Sequence, residues 1–206
     1  MAAALACTFA AAAQWSAGGG ASVYAQRRVR GVYYGPVAGA GFRINERWCA
    51  RASSFWAVPK KTYVDWTSNS TGDLASGIAP NTRHDYDLTR TLSALDMSLA
   101  MRLGKVKRTK RKGHVITGVG LALLRANARG RGQRTNLSTG TTTPIAFEHT
   151  RWKGAVNLLS GYERQTRRGA WFIEAHAWLL AESREQWPSG VAARIEAGYW
   201  LRVGKP

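Results

Sequence analysis

Residues Val191 to Val203 read VAARIEAGYWLRV. Taken two at a time, Val191, Ala193, Ile195, Ala197, Tyr199, Leu201 and Val203 fall on one side, and Ala192, Arg194, Glu196, Gly198, Trp200 and Arg202 fall on the other. A period of two is the signature of a β-strand, because successive side chains point to opposite faces. It does not say which face is inside. In a soluble sheet the apolar face packs on a core and the charges meet water. In a membrane barrel the apolar face meets lipid and the charges line the lumen.

The rest of the chain decides between the two. Trp15 to Gln26 alternates, with Trp15, Ala17, Ala21 and Val23 on one face; a second run follows from Tyr33 to Ile44, closed by a tight Asn45-Glu46 turn. A third run sets Trp48, Ala50, Ala52 and Trp56 against Arg51 and Ser53, and a fourth, Asp85 to Leu103, sets Leu95, Met97, Leu99, Met101 and Leu103 against Asp96, Ser98 and Arg102. Leu and Met favour helices intrinsically, but a helix would scatter this set around its circumference, so the period outweighs the propensity. Further runs centre on Val115 to Leu123, Trp152 to Glu163 and Trp171 to Ala181 before the final strand. That predicts eight strands. Their connections alternate between short turns and longer polar stretches, of which 59–84 and 126–148 read as long loops. The expected fold is all-β, an eight-stranded antiparallel up-and-down transmembrane β-barrel.

The two faces differ in charge. The face opposite the apolar one carries Arg51, Arg90, Asp96, Arg102, Lys153, Glu163, Glu174, Glu182, Arg194, Glu196 and Arg202, with both signs nearly balanced, while the apolar face carries almost none. Burying that set in the small core of a soluble barrel is prohibitive. Placing the apolar face outward in water would expose a belt far beyond the few hundred Å² that a soluble monomer tolerates. Lipid resolves the conflict, and a closed sheet leaves no backbone group stranded in it. No run reaches the roughly 18 apolar residues that a spanning helix needs. Trp15, Trp48, Trp56, Trp152, Trp171 and Tyr199 lie on the apolar face and fit interfacial girdles.

The formal net charge is +18, which favours polyanionic neighbours such as nucleic acid, phosphorylated lipid or acidic polysaccharide. Two cysteines, Cys7 and Cys49, suggest neither a disulfide framework nor a metal site. Residues 1–13, MAAALACTFAAAA, read as the tail of a secretory signal peptide, with 14–206 as the barrel domain.

On this pattern, over residues 14–203, the sequence resembles the small eight-stranded outer-membrane barrels of Gram-negative bacteria, the OmpA/OmpX-type and opacity-like β-barrel domains. The resemblance implies a bacterial outer-membrane location, contact with outer-membrane lipid and lipopolysaccharide, insertion by the barrel-assembly machinery and a monomeric state. It also implies an assembly signal in the last strand, polar-x-Gly-x-x-apolar-x-apolar, which Glu196, Gly198, Leu201 and Val203 fit; the chain runs on past the aromatic or apolar end usual in the family, through Gly204 to Pro206.

Candidate sites follow from the facing. Asp96, Arg102, Lys153, Glu163, Glu174, His176, Arg194, Glu196 and Arg202 form an expected lumen charge network, either a static salt-bridge filling or a gate responsive to protons through His176. Arg27, Arg28, Arg30, Arg129, Arg131 and Arg134 are expected on the long-loop rim, facing lipopolysaccharide phosphates. The basic stretch 105–112, KVKRTKRK, belongs to the opposite rim. No GxGxxG, P-loop, HExxH or CxxC occurs, so no cofactor or metal is expected. The lipid A deacylases, barrels of similar size, use a His-x-Ser pair; none of His84, His114, His149 or His176 has Ser at that spacing, so their catalytic residues do not carry over. The expected function is a non-enzymatic outer-membrane barrel with a structural, adhesive or small-solute role. The alternatives are a soluble basic β-barrel binding a small ligand or nucleic acid, or a lipid A-modifying barrel enzyme. Nucleic acid is not an expected partner, since few aromatics for base stacking sit in the basic loops.

Overall fold

The computed structural model describes residues 14–26, 32–68, 80–103, 113–180 and 190–203. They form nine strands: β1 (Gln14–Gln26), β2 (Val32–Arg43), β3 (Trp48–Trp56), β4 (Lys60–Thr67), β5 (Thr82–Leu103), β6 (Gly113–Asn136), β7 (Thr142–Gln165), β8 (Gly169–Leu180) and β9 (Gly190–Val203). Their order in the sheet is β3-β2-β1-β9-β8-β7-β6-β5-β4, and β3 also pairs with β5. That additional pairing closes a ring of eight strands and leaves β4 outside it. First and last strands meet antiparallel, with Gly20 opposite Gly198 and Ala21 opposite Ala197. The chain is thus an up-and-down antiparallel barrel with one additional strand.

The strands divide into two compact units. The first holds Met1–Val58, Ser93–Arg125 and Trp152–Pro206; the second holds Pro59–Leu92 and Ala126–Arg151. β5, β6 and β7 run through both.

In the first unit, alternation sorts side chains as the sequence anticipates. Met97, Val119, Leu121, Ile173 and Ile195 are all more than half exposed, while Tyr24, Phe55, Leu124, Trp178 and Arg194 are fully buried. An apolar exterior around a polar interior is the membrane-barrel arrangement. The aromatic positions lie as expected: Trp15, Trp48, Trp56, Trp152 and Trp171 are exposed, and Trp178, Trp200 and Phe172 are buried. Trp48 and Trp56 mark the two ends of one short strand, separated by eight steps, or roughly 20 Å along the membrane normal at a typical barrel tilt. Short turns close one end of this unit. Asn45 makes the expected tight turn, its Oδ1 accepting from the backbone N–H groups of Arg47 and Trp48, both at 2.9 Å. Interior glycines let bulky residues fit: a Cβ at Gly18 would collide with the Trp200 ring.

The second unit corrects the sequence reading. The stretch 126–148 is not a long loop, nor are the described parts of 59–84, of which 69–79 lie outside the described residues. They supply β4, the beginning of β5, the end of β6 and the beginning of β7, joined between β6 and β7 by the five residues 137–141. Asn136 caps that hairpin by accepting from Ser138 and Thr139, and Gly140 takes the positive φ of 70° that the turn requires. Both faces of these strands carry polar and charged residues, so they lack the uncharged outer band that lipid demands.

Candidate functional site in the barrel lumen

Register brings the inward charges together. Across β8 and β9, Glu174 lies opposite Glu196 and His176 opposite Arg194; across β7 and β8, Leu159 lies opposite His176 and Asn157 opposite Trp178. Two carboxylates directly opposite each other repel, and each is held by a different guanidinium. Arg51 on β3 ion-pairs with Glu174. Arg194 Nη2 lies 3.1 Å from Glu196 Oε2.

From there two connected clusters form. Toward the short turns, Arg51 Nη2 also reaches Glu163 at 2.7 Å, and Arg102 Nη2 reaches the other oxygen of Glu163 at 2.8 Å. Deeper in, Asp96 accepts from Asn157 at 2.8 and 2.9 Å, from Trp178 Nε1 at 3.2 Å and from Arg194 at 3.3 Å. His176 lies between them, with Nε2 3.3 Å from Glu196 Oε1 and Nδ1 3.3 Å from Asn157 Oδ1. The Arg194 guanidinium rests over the Trp178 ring at 4.7 Å. Arg194, Asp96, Glu163, Glu174, His176 and Glu196 are all buried. Buried charges are tolerated when paired; each carboxylate of this set lies within ion-pair distance of a guanidinium, while Arg194 Nε and Nη1 and Glu196 Oε2 are buried without a hydrogen-bond partner among the described residues.

Of the nine residues expected in the network, seven converge. Lys153 and Arg202 make no ion pair among the described residues; Lys153 is half-buried on β7, and Arg202 lines a cavity of about 60 Å³ at the short-turn end with Arg43, Arg51 and Glu163. Three members were missed: Arg51, Asn157 and Trp178. Their inward parity was readable, but the partnership of Arg51 with Glu174 spans 123 residues of sequence and depends on ring closure. Glu174, His176 and Glu196 could bring three ligand atoms within 4.8 Å of one another. Arg51 and Arg194 already occupy the two carboxylates, and two guanidiniums beside the trio repel a cation. The arrangement is chemically an ion-pair filling, with the small cavity at the short-turn end reaching Arg51, Arg102 and Glu163.

The basic positions divide differently. Arg27, Arg28, Arg30 and the stretch 105–112 lie outside the described residues. Arg129, Arg131 and Arg134 are on β6 in the second unit, not on a loop rim, and Arg129 pairs with Glu148 at 2.9 Å. In the assembly motif, Glu196 points inward into the charge network, and Leu201 and Val203 point outward.

Exposed pairs also occur in the second unit. Arg83 grips Asp65 with two bonds, 3.1 Å from Nε and 2.8 Å from Nη2. This hydrogen-bonded guanidinium holds the Asp65 carboxyl below the ordinary aspartate value. A depressed carboxylate contributes stability above its unfolded value and loses it as pH falls through the folded one. Arg83→Gln is expected to move the Asp65 titration, followed by carboxyl NMR, upward toward the ordinary range. An unchanged titration would show that the pair does not hold in solution.

No protein-family model matches the sequence, and no curated protein matches it. The fold does match solved structures. Ail, the attachment invasion locus protein of Yersinia pestis, solved in complex with the heparin analogue sucrose octasulfate, aligns with a TM-score of 0.50 at 9% identity, covering 93% of this chain and 97% of that one. Neisserial surface protein A aligns with a TM-score of 0.48 at 13% identity over the same shares. The chain therefore has the fold of the small eight-stranded outer-membrane β-barrel proteins.

Proposed function

We propose that this protein is a non-enzymatic barrel of the bacterial outer membrane that anchors a surface-exposed β-sheet, with an adhesive role. One observation carries the reading: the eight-stranded unit is apolar outside and charged inside, so it is built for lipid, while β4 and the continuations of β5, β6 and β7 are built for water. The likeness to Ail, named for attachment and invasion, supports adhesion over the other roles. A small-solute role fits less well, because bulky Trp178, Arg194, Tyr24 and Phe55 are fully buried in a lumen that eight strands leave narrow. Lipid and lipopolysaccharide surround the barrel in this reading. The assembly machinery reads the last strand through Gly198, Leu201 and Val203, and residues 1–13 direct export.

Fractionation tests it. The protein is expected in the outer-membrane fraction, with gel mobility that changes on heating, and planar bilayers should show no conductance of the size of a sixteen-stranded porin. A freely soluble monomer would overturn the membrane reading, and large stable pores would overturn the filled lumen.

A further inference from the structure

The four-stranded second unit separates its charges by face. Strand register places Lys60 opposite Arg90, Val64 opposite Tyr86 and Trp66 opposite His84, all on one face. A Cβ at Gly132 would strike Tyr86, and one at Gly130 would strike the Phe147 ring, so these glycines share that face and Arg134 follows two residues on. Alternation adds His149 and Arg151 from β7. The other face takes every acid among the unit's described residues: Asp65, Asp85, Asp87 and Glu148. There Arg83 and Arg129 pair with Asp65 and Glu148. Among the described residues the first face carries Lys60, Arg90 and Arg134 and no carboxylate.

The same face carries a row of rings. Trp66 stacks on His84, with centroids 4.4 Å apart and planes at 4°. Tyr86 meets Phe147 edge-on at 5.5 Å, and Phe147 meets His149 at 5.4 Å. Gly130 beneath leaves room for the Phe147 ring to lie close to the sheet. The stretch of β6 around Arg129, Arg131 and Arg134 holds no aromatic residue of its own. Folding brings aromatics beside it from β4, β5 and β7.

Rings amid cations such as Lys60, Arg90 and Arg134 suit an anionic polymer with apolar ring faces. We infer that the face carrying Trp66, Tyr86, Phe147, Arg90 and Arg134 binds an acidic polysaccharide. The C–H faces of its sugars lie on the aromatic rings, and its carboxylate or sulfate groups meet the guanidiniums, whose fork can bond two oxygens of one oxyanion. This rests on the proposed outward orientation of the second unit, where extracellular and surface glycans are the available polyanions. Single-stranded nucleic acid fits less well. Successive bases need open, parallel platforms, whereas His84 covers one side of Trp66 and Phe147 stands at 79° to Tyr86.

The test uses the full chain folded in detergent, with binding of an alginate hexasaccharide measured by calorimetry at several salt concentrations. Heat-modifiable gel mobility is read first on every variant, which separates failure of the barrel reading from failure of the site. Arg90→Gln with Arg134→Gln should weaken binding by about tenfold or more and flatten its salt dependence. Arg129→Gln with Arg131→Gln removes the same charge from the opposite face and should change binding less than twofold. Trp66→Ala should weaken binding with the salt dependence retained; Phe147→Ala should do the same, and Phe147→Tyr should restore it. Equal losses from the two arginine pairs would reduce the effect to net charge and overturn the site. So would a folded protein that fails to bind the hexasaccharide. An oligothymidylate bound as tightly as the glycan would assign the face to nucleic acid instead. Binding of purified lipopolysaccharide that is blind to Trp66→Ala and outcompetes the glycan would assign it to the membrane's own lipid.

Discussion

Met97→Arg is expected to impair insertion and to lower the stability of the lipid-folded protein by about 2–4 kcal/mol. Met97 lies opposite Ala52, midway between Trp48 and Trp56 on β3, and its side chain is 62% exposed on the outward face. If the tryptophans mark the two interfaces, this is the depth where lipid solvates a guanidinium least. Arginine there must reach for a headgroup or draw water inward, and either costs free energy. Ile195→Arg on β9 is expected to behave similarly, since its exposure is comparable at 56%. Tyr63→Arg serves as the control. Tyr63 is also exposed, yet it sits on β4 in the second unit, outside the apolar band, where such a change is expected to fall within about 0.5 kcal/mol. The measurement is a urea titration in lipid bilayers, with gel mobility reporting the folded fraction. Normal folding of Met97→Arg would mean that this face does not meet lipid, and the membrane assignment of the whole ring would fall with it.

Where one strand face meets an apolar phase, the chain was legible. VAARIEAGYWLRV alternates in hydropathy because lipid selects one side and the crowded lumen the other, and β9 is found at Gly190–Val203. The same holds for Leu95 to Leu103 on β5. Residues 126–136 alternate too, but in another property. Arg129, Arg131 and Gln133 point one way, and Gly130 and Gly132 point the other. Neither face is buried in lipid or in a large core, so the period does not register as hydropathy, and the segment reads as a loop. β4 is hidden because it is short and opens on Lys60 and Lys61, so the alternation of Thr62, Val64 and Trp66 with Tyr63, Asp65 and Thr67 is too brief to register. The lumen network was half legible. Parity showed which charges point inward. Partnership depends on which strands face each other across the ring, and no local pattern encodes that β3 lies where its Arg51 can reach β7 and β8.

Arg51 is where that closure has the largest energetic consequence. Its guanidinium ion-pairs with Glu174 and with Glu163, and Glu174 lies cross-strand from a second carboxylate, Glu196. Arg51→Met keeps much of the volume and removes the cation. Glu163 retains Arg102, but Glu174 then lies buried beside Glu196 with its principal partner gone. Removing one member of a buried pair costs on the order of 3–5 kcal/mol, most of it the stranded charge. Glu174→Gln in the same background removes that charge, so Arg51→Met with Glu174→Gln should destabilise by less than the two single changes added together. The non-additivity expected for directly bonded side chains is about 0.5–3 kcal/mol. The corresponding cycle of Arg194→Gln with Glu196→Gln should show coupling of the same sign, because those groups lie 3.1 Å apart. Lys153→Gln and Arg202→Gln, inward positions without an ion pair among the described residues, should each stay within about 0.5 kcal/mol. Urea titration of detergent-folded variants gives all of these values. Additive effects for Arg51 and Glu174 would show that the charges are solvated separately. The lumen would then be wet around them rather than closed by the network, and the case against a small-solute path through the barrel would have to rest on Trp178 and Tyr24 alone.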